Sequence, residues 1–129
     1  MELKEYFETA KGTGVLATAD SKGRVDVAIY GHPHVMENGT VAFIMADHLS
    51  HENLQSNPYA AYLFVEAGGG YKGKRLYLTK VKEETDPQRI AALRRRTTPA
   101  GCHPSEGEQR FLVHFRLDRV GPLVGNEPE

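Results

Sequence analysis

A single cysteine, Cys102, is the first scarcity in this 129-residue sequence. One thiol closes no internal disulfide, and a lone thiol fits a reducing compartment. Stability then has to come from packing or from a second subunit. Excess charge of one sign is missing too, since sixteen Lys+Arg against seventeen Asp+Glu leave a formal net charge of −1. Without surplus positive charge to neutralise a phosphate backbone, no nucleic-acid partner is expected. Apolar runs are short: none approaches the ~20 residues a helix needs to cross a bilayer, so no membrane partner is expected. The opening MELKEYFETAKG is charged and lacks the apolar stretch and small cleavage-site residues of a secretory signal. A cytoplasmic location is the expectation. Internal repeats and low-complexity segments are absent as well. What is present, 40% hydrophobic and 26% charged residues, is the composition of one globular domain, read over 1–120, with a tail at 121–129 rich in Pro and Gly.

Along the chain, Leu3, Tyr6, Phe7 and Ala10 recur at helical spacing, and Gly12 and Gly14 stop the pattern, so a short covering helix is read over 2–11. Residues 14–19 (GVLATA) and 25–30 (VDVAIY) flank the turn cluster 20–23 and read as a hairpin. The second strand is expected to continue through His34 and Val35. An Asn38-Gly39 turn then leads into the apolar run 41–45 (VAFIM), which is expected inside a barrel or against a partner. Asp47 or Ser50 is a candidate cap for a short helix over 48–56, closed by Pro58. Residues 59–66 and 74–82 read as two more strands around the glycine-rich 68–70, with Leu76, Leu78 and Val81 facing inward. Asp86 caps a helix over 87–96 whose buried stripe is Ile90 and Leu93, and Pro87 at its first position loses no hydrogen bond. In the strand 111–117, Phe111, Val113, Phe115 and Leu117 share one face, with Leu112, His114 and Arg116 on the other. The fold class that results is mainly β (α+β), a six-stranded antiparallel barrel with about three short flanking helices.

Several residue types invite a chemical reading, and each has a plainer one. His32 and His34 point the same way on an extended segment, yet two ligands make no metal site, and no metal is expected. Cys102 adjoins His103 in sequence, but nothing in the pattern sets a base against the thiol, and it reads as an inert loop thiol. Arg94, Arg95 and Arg96 sit at a helix end, where dipole stabilisation and solubility account for them. The tyrosines read mainly as strand residues that pack a ring and keep the hydroxyl wet. His114, opposite the apolar stripe, reads as exposed or dimer-facing.

The order of elements and three strings carry a resemblance over roughly residues 3–120. Residues 48–58 (HLSHENLQSNP) are the most diagnostic, a short helix carrying Asn-Leu and ending in Asn-Pro; 23–30 (GRVDVAIY) and 38–45 (NGTVAFIM) precede it. In this order the chain resembles the pyridoxamine 5′-phosphate oxidase-like family of FMN-binding split-barrel proteins. The resemblance implies a split barrel that dimerises, with flavin clefts at the subunit boundary. It also implies FMN as cofactor and flavin-dependent oxidoreductase chemistry on a small molecule. A true pyridoxamine phosphate oxidase is not expected, because the arginine and histidine those enzymes carry in a C-terminal extension have no counterpart. The positions where the family holds the flavin phosphate with cations fall on Leu49 and Ser50, and near Ala28 and Pro33, all uncharged here.

The phosphate is therefore expected at the helix N-terminus, with Ser50 and His51 beside it and His48 and Asn53 on the same helix. The ring is expected against Ile29, Tyr30 and Met45. Lys72 and Lys74, behind the glycine-rich loop, are further anion contacts. Missing cations predict weak binding. No side chain stands out as acid, base or nucleophile, so no catalytic residue is assigned. An alternative from another class is a split-barrel dimer that binds heme through a histidine, or another ligand, or a non-catalytic binding protein.

Overall fold

The structure, a computed structural model, describes residues 2–46, 48–97 and 109–125, without the side chains of 95–97. Cys102, Asp47, the end of the tail and the side chains of Arg95 and Arg96 lie outside the described residues. In chain order the elements are α1 (Leu3–Thr9), β1 (Gly12–Ala19), β2 (Val25–Tyr30), β3 (His34–Val35), β4 (Val41–Ala46), α2 (Leu49–Ser56), β5 (Tyr59–Glu66), β6 (Gly73–Glu84), α3 (Pro87–Thr97) and β7 (Arg110–Pro122). All strands pair antiparallel in one sheet of order β2-β1-β5-β6-β7-β4-β3.

The sheet has seven strands where the sequence predicts six. The strand expected to run through His34 breaks at residues 31–33, where Pro33 has no amide to give a ladder. β2 stays with β1, and β3 crosses to β4. These two strands are the opposite edges of the sheet, yet only three residues join them. A flat seven-stranded sheet would be about 29 Å wide at 4.8 Å per strand. Four residue steps span at most about 14 Å. The sheet must curl until its edges approach, which makes the split barrel.

Its inside is the main core: Leu16, Phe43, Met45, Tyr62, Phe64, Leu76, Leu78, Val113 and Phe115, with Phe7 of α1 and Leu54 of α2 plugging it. The 41–45 run thus lies inside, with Met45 fully buried. On the outer face α3 sets Ile90 and Leu93 against Ala42, Ile44 and Leu112, as its stripe predicts. Two expectations change. His114 is buried and bonded to Glu84, because this helix covers the second face of β7. Val81 is half exposed, since three positions from Leu78 put it on the opposite face of the strand, and the register shift between Lys80 and Lys82 leaves it without a β7 partner. The cap at Asp86 forms, its Oδ1 accepting the Gln88 amide at 3.0 Å.

Tyr62 fixes the crossing. Its phenol passes over Gly14 and donates to the Gly31 carbonyl at 2.9 Å, and burial pushes its pKa above the ordinary tyrosine range. A Cβ on Gly14 would lie 1.9 Å from that oxygen. Gly14→Ala is expected to cost about 1–3 kcal/mol by overpacking, read as a lower urea midpoint; an unchanged midpoint would contradict the pinning.

Candidate functional site

α2 starts where β4 ends, so its N-terminus opens beside the end of β2. His48 is the N-cap residue, in extended conformation and with no side-chain capping bond, and the first helical bond runs from the Glu52 amide to the His48 carbonyl. The amides of the first turn therefore point out of the helix end, where a partial positive charge gathers. His48 and Leu49 are exposed, while Ser50, His51, Asn53 and Leu54 are buried.

Buried bonds hold this helix rigidly. Asn53 donates to the Thr18 hydroxyl of β1 at 3.0 Å, and Asn57 donates to the Asp20 carbonyl at 3.3 Å. His51 stacks on Phe111 at 3.8 Å between ring centroids, and its Nε2 lies 3.0 Å from Glu83. Gln55 donates to the His51 carbonyl and to Glu83. With the Gln55 amide protons so engaged, His51 Nε2–H is the donor toward Glu83. Lys80 reaches the other Glu83 oxygen at 2.5 Å. Burial alone would raise the pKa of Glu83, but bonds from Lys80, His51 and Gln55 bring it down to about 2. Glu83, Gln55, Lys80 and Phe111 were not legible as site residues; the one local signal was His51 and Gln55, four apart on one helix face.

Tyr30, at the end of β2, reaches this helix. Burial raises its pKa and a hydrogen bond with Ser50 opposes that shift, so the phenol stays protonated. Its ring meets Phe43 edge-on at 6.0 Å, facing inward. Ile29 points the other way and is 78% exposed on the outer face.

The structure thus joins Tyr30, Ser50 and, at the helix end, His48. It turns His51 toward Glu83, Asn53 toward β1 and Met45 into the core. Ile29 and Tyr30 share no ring-binding surface within one chain. Lys72 lies in the hairpin loop, and Lys74 sits over the Tyr6 ring at 4.7 Å. Lys74 and Glu83 are nine residues apart on β6, on the order of 25–30 Å along a strand. The lysine loop and the α2 N-terminus are separate places in the chain. As these groups stand, a dianionic phosphate does not fit the first turn of α2: the Ser50 hydroxyl is engaged with Tyr30, and His51 with a carboxylate.

No family model and no curated protein matches the sequence. Solved structures do match over nearly its whole length. An F420 reductase aligns with a TM-score of 0.72 at 18% identity, over 94% of this chain and 98% of its own. An FMN-binding protein from Syntrophomonas wolfei aligns with a TM-score of 0.74 at 15% identity, over 96% and 85%. A candidate pyridoxamine 5′-phosphate oxidase from Lactobacillus delbrueckii aligns with a TM-score of 0.67 at 16% identity, over 94% and 92%. These likenesses show the split-barrel fold. Among the described residues no helix is long and apolar enough to cross a membrane, and no group of three or more His, Cys, Asp or Glu could hold a metal ion.

Glu83 carries a pH signature. Its folded pKa of about 2 lies below the ordinary 4.5, so its stabilisation is complete above pH 4.5 and is lost as pH falls toward 2. His114 acts in the same direction at higher pH: burial lowers its pKa against the pull of Glu84, so the unfolded chain takes the proton first as pH falls below 6.5. Urea midpoints followed against pH are expected to decline in two stages, and Glu83→Gln is expected to flatten the lower one. A Gln variant with the parent's acid limb would contradict the assignment.

Proposed function

We propose that the protein is a flavin-binding split-barrel protein that works as a homodimer, with oxidoreductase activity on a small molecule arising from the bound flavin. The observation that carries this reading is the N-terminus of α2, exposed at His48 and Leu49, beside Tyr30 and the buried Ser50. The fold likeness to an FMN-binding protein and an F420 reductase supports it. A bound flavin would supply hydride or electron transfer; the chain would orient it and exclude water. In that role the α2 amides and Tyr30 bind and align, and Glu83, Gln55 and Asn53 keep the helix in place.

The dimer proposal rests on the outer face of the barrel. Val25, Val27 and Ile29 on edge strand β2 are 81%, 65% and 78% exposed. By register the same face continues through Val15 and Ala17 to Leu63 and Ala61, with exposed Val65 and Tyr59 beside them. An apolar patch on a sheet edge is a surface that a second copy can cover. A second copy covering it is expected to bury at least about 2,000 Å² in total.

A second reading, heme or another ligand held through a histidine, has its own observation. A cavity of about 480 Å³ between α1 and β3 is lined by His32 and His34 with Phe7, Met36 and Leu93. Its size is that of a small-molecule pocket.

Sedimentation velocity at micromolar protein, after incubation with riboflavin, FMN or hemin and read at 280 nm and in the visible, tests all of this. A dimer carrying flavin absorbance is expected. Hemin absorbance alone would favour the cavity reading, a colourless dimer would remove the flavin assignment, and a monomer would remove the proposed interface.

A further inference from the structure

We infer that the ligand of the α2 N-terminus carries no phosphate: it is a flavin of the riboflavin class, recognised by its ring and neutral side chain. The inference rests on the flavin reading above and concerns which flavin the site admits.

The first support is a gap in the charge pattern. From Val25 to Tyr71 the sequence has no Lys or Arg, while it has Asp26, Glu37, Asp47, Glu52 and Glu66. That stretch builds β2, β3, β4, α2 and β5, including both elements that meet at the site. Glu52 itself stands in the first turn of α2. A cation for a phosphate would have to come from another part of the chain: Arg110 pairs in register with Ala46 at the end of β4, and it lines a groove with Ile90 and Arg94 of α3. Lys80 reaches the network around His51, and there its ammonium is paired with Glu83. Lys74 and Lys72 are at the far end of β6, with Lys74 over the Tyr6 ring.

The second support is how the polar groups of the first turn are arranged. Ser50 is 3% exposed, and His51 is 7% exposed with its Nε2 3.0 Å from the Glu83 carboxylate. Receiving a phosphate there would mean breaking a buried pair. Against the two charges of a phosphate the helix end offers only about half a unit of positive charge. A neutral ribityl chain, with hydroxyls that donate and accept, needs no such compensation.

The test is a fluorescence titration of riboflavin and of FMN against the parent and against Leu49→Arg. Leu49 is 50% exposed at the first helical position, so an arginine there is compatible with folding. On the parent the two dissociation constants are expected to agree within about threefold, less than one charge-assisted hydrogen bond supplies. Leu49→Arg is expected to raise the FMN-to-riboflavin affinity ratio about tenfold, an increase that fades with added salt. FMN binding more than about tenfold tighter than riboflavin on the parent would overturn the inference and leave the flavin reading standing. A Leu49→Arg variant with the parent's ratio would overturn it too, by separating the ligand from the α2 start. Binding of neither flavin would remove the flavin reading and the inference together.

Discussion

Three residues, 31–33, carry the chain from one edge of a seven-stranded sheet to the other, and no flat sheet lets so short a link do so. The curl this imposes shapes the interior, the outer face and the candidate site alike. It wraps Leu16, Tyr62, Phe64 and Phe115 into one interior, and it leaves the opposite faces of β2, β1 and β5 outside with apolar residues. Tyr62 holds the crossing by its bond to Gly31, and Gly14 exists as glycine because that phenol needs the space. The edge that cannot close on itself, β2, carries the most exposed valines and isoleucine of the chain.

The same crossing creates the candidate site. Because β2 ends where the link begins, Tyr30 is delivered next to the start of α2, which follows β4 on the other side of the split. A helix of eight residues contributes little stability of its own. Asn53, Asn57, His51 and Leu54 fasten it to β1, to the 20–23 turn, to β6 and to the core, so the rigidity of the site comes from nonlocal bonds. One of those bonds, from His51 to Glu83, occupies a first-turn side chain that could otherwise meet an anion.

Much of the architecture was legible because it is local. The alternation of Phe111, Val113, Phe115 and Leu117 has the period of a strand, and Asp86 with Pro87 states a helix start in two residues; both took the predicted form. The short α2 lies within a residue of its expected span. What failed to show was long-range. Glu83 meets a histidine 32 positions away, and Glu84 meets one 30 positions away. No spacing rule joins such pairs. Met45 reads equally as core or ring contact from its run, and only the curl decides for the core.

The central claim is a place: a ligand held at the first turn of α2 against Tyr30. Backbone amide NMR of the isotope-labelled protein during a riboflavin titration tests it most directly. The account predicts that the largest shifts centre on Tyr30, His48, Leu49 and Ser50, with Lys72 and Lys74 unmoved. Shifts centred on His32 and His34, or on the 68–74 loop, would contradict it.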